Sequence, residues 1–125
     1  MIVLFNNCHG RKHAELFGPG VFYDLGMKEA HQRALPGILP GTECIVVNGE
    51  RAGDLEFVHY SFAREEPRLD GNRTVRVFFG DLIRSEVLPR SEACTREPYA
   101  HFFDKNGHLK RLSALRVGAG KHSKV

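Results

Sequence analysis

Residues 26–47, with the sequence GMKEAHQRALPGILPGTECIVV, predict three consecutive elements that decide the fold. The charged stretch 26–33 predicts a short helix, and 36–41, which contains two prolines and two glycines, predicts a tight turn. The apolar run 44–47 that follows predicts a buried strand. A short helix, a turn and a buried strand in this order are typical of the first part of a small β-barrel.

Length and composition favour one domain. A chain of 125 residues buries roughly two thirds of its unfolded surface and can fold alone. Its 42% apolar and 26% charged residues are ordinary values for globular proteins. We expect a single domain over residues 1–117, followed by a basic flexible tail over 118–125, where glycine, lysine and serine replace apolar residues.

The first residues and the cysteines predict a cytoplasmic protein. The apolar stretch 1–5 is too short for a signal peptide or a membrane span, so we interpret it as a first strand. Cys8, Cys44 and Cys94 form no CxxC pair, which favours reduced thiols. We therefore expect an intracellular chain that has no membrane partner.

Charge is distributed unevenly along the chain. From Lys105 to the end there are six lysines or arginines and no acidic residue, whereas residues 1–104 carry 12 basic and 15 acidic groups. A concentrated cationic segment attracts nucleic acid through counterion release. The alternative is a basic end that only increases solubility.

Alternating apolar residues and turn signals predict further strands. The predicted strands cover 43–48, 55–63, 74–79 and 82–88. The polar loop 49–54 joins the first two, the turn-rich stretch 65–72 joins the second and third, and a kink at Gly80-Asp81 separates the last two.

Two more signals lie in the last third of the chain. Residues 89–94 predict a helix capped by Ser91, and Asn106-Gly107 predicts a two-residue hairpin turn with 102–103 and 109–117 as its arms. No βαβ rhythm is present. Together the elements predict an α+β fold, namely a small, mostly antiparallel mixed β-barrel with one or two short helices.

Three short motifs resemble those of the pseudouridine-synthase-and-archaeosine-transglycosylase-like (PUA-like) superfamily, and within it the EVE and ASCH modules. They are the Gly-x-Lys-x4-Arg pattern at Gly26, Lys28 and Arg33, the Pro40-Gly41 turn into the strand 44–47, and Arg111-Leu112-Ser113 near the end. His31 stands where many ASCH modules have glutamate, Thr42 follows the turn where aspartate is usual, and the chain has no tryptophan.

This resemblance implies a module that binds RNA or DNA and accommodates a flipped or modified base in a barrel pocket. Such a pocket needs apolar or aromatic walls and a few polar groups for the base edge. The candidate nucleic-acid-binding residues are Asn6, Phe22, Tyr23, Lys28, Arg33, Asn48, Tyr60, Phe62, Lys110, Arg111 and Arg116. Phe22 and Tyr23 would form one wall of the pocket, and Tyr60 and Phe62 would form the opposite wall. The alternative is that these aromatic residues belong to the hydrophobic core and that Asn48 lies in a turn.

Two other functions are compatible with the same residues. An ASCH-like amidohydrolase acting on a modified nucleoside would use Lys28 and His31 as an acid–base pair, with Glu86 as a carboxylate. For Lys28 the alternative is a solvated charge on a helix. A specificity or interaction module of a nuclease or defence system would bind a nuclease or an ATPase. We favour a binding module over an enzyme.

Metal and cofactor sites find little support in the sequence. Cys8, His9 and His13 cluster, but a zinc site needs a fourth ligand and more regular spacing. Phosphate-binding glycine loops, serine elbows and paired catalytic carboxylates are absent from the sequence. We therefore predict no metal and no cofactor.

Overall fold

A computed structural model of the chain contains six strands and two short helices within its described residues. The structure describes residues 1–6, 12–13, 20–25, 35, 37–49, 53–110 and 114–116, and of Asp24, Leu25 and residues 114–116 only the backbone. The strands are β1 (Ile2–Asn6), β2 (Val21–Leu25), β3 (Glu43–Gly49), β4 (Asp54–Asp70), β5 (Arg73–Pro89) and β6 (Ala114–Arg116). The helices are α1 (Arg90–Ala93) and a 3₁₀ helix (Tyr99–Phe102).

All six strands belong to one mixed sheet with the order β2-β5-β4-β3-β1-β6. Only β1 and β3 pair in parallel, and every other neighbouring pair is antiparallel. Residues 44–48 of β3 are all buried, as expected for a central strand whose two faces are both covered. The predicted mostly antiparallel α+β character is therefore confirmed, and so are the strands at 1–5 and 43–48.

The predicted barrel is wrong because the sheet is open. Closing a barrel requires its first and last strands to pair. Here β2 and β6 lie at opposite ends of the strand order, with four strands between them. Strand order depends on contacts between distant parts of the chain, which local sequence patterns do not specify.

A long hairpin of β4 and β5 is the largest element, and each of its strands has 17 residues. We predicted a connector over 65–72, but β4 continues to Asp70 and turns over Gly71-Asn72 alone, where Gly71 has a φ of +64°. Pro67 lies opposite Arg76 in a part of β4 that pairs with β5 alone, since β3 pairs with β4 only as far as Ser61, and proline is tolerated in such an edge segment.

In the outer half of this hairpin, polar contacts add to the burial of Val75, Val77 and Phe78. The Arg76 guanidinium donates two hydrogen bonds to the Glu65 carboxylate, with Nε–Oε2 and Nη2–Oε1 distances of 2.6 and 2.8 Å. The Arg64 guanidinium lies 4.1 Å from the centre of the Phe79 ring. Cross-strand pairs of this kind let a charged stretch form a strand, although its composition resembles that of a loop.

At Gly80 the structure has one continuous strand where we predicted two strands and a kink. The pairing register of β4 and β5 shifts twice in this region, between the pairs of His59 and Tyr60 and between those of Phe62 and Arg64. A Cβ atom at Gly80 would lie 2.3 Å from the Ser61 carbonyl oxygen. Glycine is therefore required because the two backbones approach closely, rather than because a strand ends.

Two hydrophobic cores cover the two faces of the sheet, and the alternation of side chains along the strands separates them. The Tyr60 face carries Ile2, Leu4, Phe22, Tyr23, Leu35, Cys44, Val46, Val58, Tyr60, Phe62 and Phe78. The Tyr99 face carries Val3, Ile45, Val47, Leu55, Phe57, Leu88, Ala93, Tyr99, Phe102, Phe103 and Leu109. The short helices pack on the Tyr99 face through Ala93, Tyr99 and Phe102.

The last third of the chain differs from the prediction in two details. The N-cap of α1 is Pro89, and no side chain caps it, so Ser91 is not the cap. The turn at Asn106-Gly107 is wider than two residues, because the Asp104 carboxylate accepts the backbone N–H groups of Asn106 and His108. Its arms are reduced to one bridge between Phe103 and Leu109.

The C-terminal part contributes one strand to the sheet, and β6 pairs with β1 instead of with 102–103. The predicted tail, 118–125, lies outside the described residues. No helix in the described part of the chain is long and apolar enough to cross a membrane.

Candidate functional site

Six of the candidate residues lie on one face of the sheet. Phe22, Tyr23, Tyr60 and Phe62 belong to the core of the Tyr60 face, and Asn6 pairs in register with Asn48 on the same side. Lys110 is exposed next to Leu109, which packs on the Tyr99 face. The remaining candidates, Lys28, His31, Arg33 and Arg111, lie outside the described residues, as does the side chain of Arg116.

The aromatic candidates contact one another and do not form separate walls. The rings of Phe22 and Tyr60 are stacked, with centroids 4.5 Å apart, and Phe62 meets Phe22 edge-on at 6.4 Å. Phe22 and Phe62 are fully buried. The prediction of opposite walls is therefore wrong for these rings, which fill the space between them.

Tyr23 has the polar partner that its hydroxyl requires. The Tyr23 hydroxyl donates a hydrogen bond to the Phe5 carbonyl oxygen at 2.7 Å, and its ring packs on Phe78. This contact fixes the edge strand β2 to the first strand across the Tyr60 face. Tyr23 thus acts as a structural tie in this arrangement.

A buried polar cluster lies beside these rings, and we call His13, Asn48, Glu56 and Tyr60 the Glu56 cluster. Glu56 exposes only 5% of its surface, and its Oε1 accepts the His13 backbone N–H and the Asn48 Nδ2–H, each at 2.8 Å. The alternative that Asn48 lies in a turn is therefore wrong. It lies inside β3 with its amide directed to a carboxylate on the neighbouring strand.

The electrostatics of this cluster favour neutral rings around one carboxylate. Burial lowers the pKa of His13, and its Nε2 donates to the Phe22 carbonyl oxygen at 2.7 Å because a carbonyl can only accept. Burial also raises the pKa of Tyr60, and the charge of Glu56 adds to this effect. The Tyr60 and His13 rings meet edge-on, with centroids 5.9 Å apart.

Two polar atoms of the cluster have unused capacity. Glu56 Oε2 and the Tyr60 hydroxyl form no hydrogen bond within the described part of the chain, and Tyr60 exposes 9% of its surface. A carboxylate oxygen can only accept a hydrogen bond, whereas a phenol can donate and accept. The pair can therefore recognise a ligand group that carries at least one N–H or O–H.

Neither Glu56 nor His13 was predicted to belong to such a site. The missed signal is in β4, where Glu56, Val58 and Tyr60 alternate on the same face. An acidic residue in an otherwise apolar row indicates a buried carboxylate that needs partners. His13 was considered only as a zinc ligand.

A second polar group lies on the Tyr99 face, on the other side of the sheet. His59 Nδ1 is 2.8 Å from Glu43 Oε2, and His59 Nε2 is 2.6 Å from the Tyr99 hydroxyl. That hydroxyl is 2.5 Å from Glu86 Oε2, and Arg96 contacts the same carboxylate at 3.3 Å. Glu86 therefore lies on the face opposite the Glu56 cluster, which separates it from the six candidates on the Tyr60 face.

Hydrogen bonds link Glu43, His59, Tyr99 and Glu86 in a row on the Tyr99 face. Burial, together with the Glu86 carboxylate, raises the pKa of Tyr99, so the phenol keeps its proton at neutral pH. It donates this proton to Glu86, and its oxygen lies within hydrogen-bond distance of the His59 ring.

Neither cluster has the composition of a metal site. No group of three or more His, Cys, Asp or Glu in the described ranges could hold a metal ion, and Cys8 and His9 lie outside those ranges. Cys44 is buried in the core, and burial raises its pKa to about 12, so its thiol is unreactive at neutral pH.

Comparisons with known proteins identify no relative: no family model, no curated protein and no solved structure matches this chain.

Proposed function

We propose that this chain is a nucleic-acid-binding module that accepts one unstacked RNA or DNA base, unmodified or modified, at the Glu56 cluster. The observation that carries the proposal is the convergence of a buried carboxylate, an amide and a phenol beside aromatic rings on one face of the sheet. These are the groups that recognition of an unstacked base requires.

The chemistry of the cluster supports a base rather than a phosphate as the group that enters it. The Glu56 carboxylate repels phosphate, whereas it accepts a hydrogen bond from an exocyclic amino group of a base. The Asn48 amide already donates to Glu56, which holds the carboxylate in place. The Tyr60 hydroxyl supplies a second contact that adapts to a donor or an acceptor.

Phosphate attraction would come from another part of the chain. Six lysines or arginines and no acidic residue lie between Lys105 and the end, and Lys105 and Lys110 are exposed. The affinity of binding through these residues would fall with increasing salt. The slope of log K against the logarithm of the salt concentration would become steeper by about one unit for each phosphate contact. Base recognition at the Glu56 cluster would depend less on salt.

A PUA-like relationship remains part of the proposal, and it rests on the three sequence motifs alone. The proposed site needs one face of an open sheet and does not need a barrel pocket. An amidohydrolase that uses Glu86 would act on the Tyr99 face, where Glu86 is bonded to Tyr99, and not at the Glu56 cluster; its other two residues, Lys28 and His31, lie outside the described residues. Recruitment to a nuclease or an ATPase is compatible with a base-binding module.

The test is a binding titration with short RNA and with single- and double-stranded DNA, unmodified and with methylated or acetylated bases, at two salt concentrations. We expect a preference for one base that persists at high salt. Glu56→Gln should weaken that preference about tenfold, since one acceptor oxygen becomes a donor. Glu66→Gln, at an exposed glutamate of the hairpin, is the matched control.

Three results would contradict the proposal. Binding to none of these ligands would exclude a nucleic-acid module. Equal, strongly salt-dependent binding to all of them would reduce the protein to a generic polycation. An unchanged preference in a folded Glu56→Gln variant would place the base elsewhere, and thermal unfolding of each variant shows that it is folded.

A further inference from the structure

The second half of β5 has an open edge. Strand β2 covers β5 only from Arg76 to Phe79, and the last hydrogen bond runs from the Gly80 N–H to the Gly20 carbonyl. Beyond this point β5 pairs with β4 on its inner side. No strand in the described part of the chain pairs with the outer side of residues 81–89, so backbone N–H and C=O groups are left for another strand.

Exposed apolar side chains accompany this edge. Leu82, Ile83 and Val87 are 61%, 52% and 41% exposed, and they are three of the five large apolar residues exposed in the described part of the chain. Edge strands are usually protected by charged side chains, proline, a bulge or a covering loop. Between positions 81 and 88 this strand has no lysine or proline, and its charged residues are Asp81, Arg84 and Glu86. An added strand would cover the exposed apolar residues.

The sequence of the edge is complementary to itself about Ser85. A two-fold axis perpendicular to a sheet keeps every side chain on its own face, so it must pass through a residue and not between two. With the axis at Ser85, each Arg84 lies opposite the Glu86 of the other copy, and each Ile83, which has no partner on β4 because the register shifts there, lies opposite a Val87. Every one of these pairs occurs twice.

Neighbouring positions of the axis are unfavourable. An axis at Arg84 places two arginines opposite each other, and an axis at Glu86 does the same with two glutamates. Arg84 and Glu86 project to the same side, because they pair with His59 and Phe57 of the Tyr99 face. Charge complementarity therefore selects one register.

From this edge and its charge pattern we infer that two copies of the chain associate through antiparallel pairing of their β5 strands, centred on Ser85. The two six-stranded sheets then form one continuous sheet. The Glu56 clusters of both copies lie on the same side of it, because the two-fold axis preserves the faces.

Charged residues introduced at the paired positions 83 and 87 test this dimer. Sedimentation velocity over a range of protein concentrations measures the oligomeric state. We expect wild type to dimerise and Ile83→Lys/Val87→Lys to be monomeric, since the introduced lysines face each other. Ile83→Lys/Val87→Glu should recover the dimer, because each introduced lysine then faces an introduced glutamate. Leu69→Lys, at the exposed hairpin end, is the matched control and should behave like wild type.

A disulfide provides an independent test. Ser85→Cys places a thiol opposite its own copy, at a Cβ separation of about 5 Å, and should form a covalent dimer under mild oxidation. Thr74→Cys, exposed at the far end of β5, should not. A monomeric wild type overturns the inference, as does a dimer that survives Ile83→Lys/Val87→Lys. Equal cross-linking at both positions also overturns it.

Discussion

Two tyrosine hydroxyls show how the contribution of a polar group to stability depends on its hydrogen-bond partners. Tyr99 bridges His59 and Glu86, at 2.6 and 2.5 Å, whereas the Tyr60 hydroxyl has no partner within the described residues. Tyr99→Phe should lower the free energy of unfolding by about 1–3 kcal/mol, because it leaves the buried His59 and the partly buried Glu86 without this hydrogen-bond partner. Urea unfolding measures the change.

Tyr60→Phe is the matched control for this prediction. It removes a hydroxyl from an equally aromatic environment, where the ring stacks on Phe22, and should change stability by less than about 0.5 kcal/mol. If both variants lost the same stability, the hydrogen bonds that link Glu43, His59, Tyr99 and Glu86 would contribute nothing specific to stability.

His13 makes stability depend on pH in a definite direction. Burial lowers its pKa below the usual 6.5, so between these two values the unfolded chain binds more protons than the folded chain. The contribution of His13 is complete above pH 6.5 and is lost as the pH falls below it, with a slope of up to about 1.4 kcal/mol per pH unit. Unfolding free energies measured from pH 7.5 to 5 should show this decrease.

Replacing His13 separates this effect from other titrations. His13→Gln should flatten the decrease below pH 6.5, even if its stability at pH 7.5 is also lower. His108→Gln, at an exposed position, should leave the slope unchanged. A slope that is the same in all three proteins would assign the pH dependence to other groups.

At the scale of elements, Gly80 decides whether β4 and β5 can pair along their whole length. Gly80→Ala should cost about 2–3 kcal/mol, because its Cβ would lie 2.3 Å from a backbone oxygen of Ser61 and 3.0 Å from the Phe22 ring. Thermal unfolding measures the loss. Gly37→Ala, with nothing within 4 Å of its Cβ, should be neutral, and a similar loss in both variants would refute the steric explanation.

The elements that sequence could predict are those with a local signal. The apolar run 44–47 and the alternation of Val58, Tyr60 and Phe62 indicated strands that the structure contains. The stretch 65–70 was missed because its stability comes from contacts with the opposite strand, such as that of Glu65 with Arg76. Glu56 was missed as a site residue for a related reason, since its partners come from β3 and from residue 13.

At the scale of the whole molecule, the outer strand β6 protects β1. It pairs with β1 at three positions, from Ile2 opposite Arg116 to Leu4 opposite Ala114. A chain that ends at Lys110 should therefore unfold at a lower temperature and aggregate more readily, because the apolar strand β1 gains an open edge. Differential scanning fluorimetry and light scattering measure both effects.

A shorter truncation is the control for this prediction. A chain that ends at Val117 keeps β6 and should unfold like the full chain, as expected if residues 1–117 form the domain. If the chain ending at Lys110 were equally stable, β6 would not be part of the cooperative fold. The open sheet could not be predicted from the sequence, because the order of the strands is set by pairings between parts of the chain that are distant in sequence.

The position of β1 also has a consequence for synthesis on the ribosome. Strand β1 leaves the exit tunnel before both of its neighbours in the sheet, β3 and β6. Its first partner emerges about forty residues later, and its second only with residues 114–116. Because β1 is apolar, the nascent chain exposes it unpaired until β3 emerges and with one open edge until β6 emerges, and in this interval a chaperone would have the most to protect.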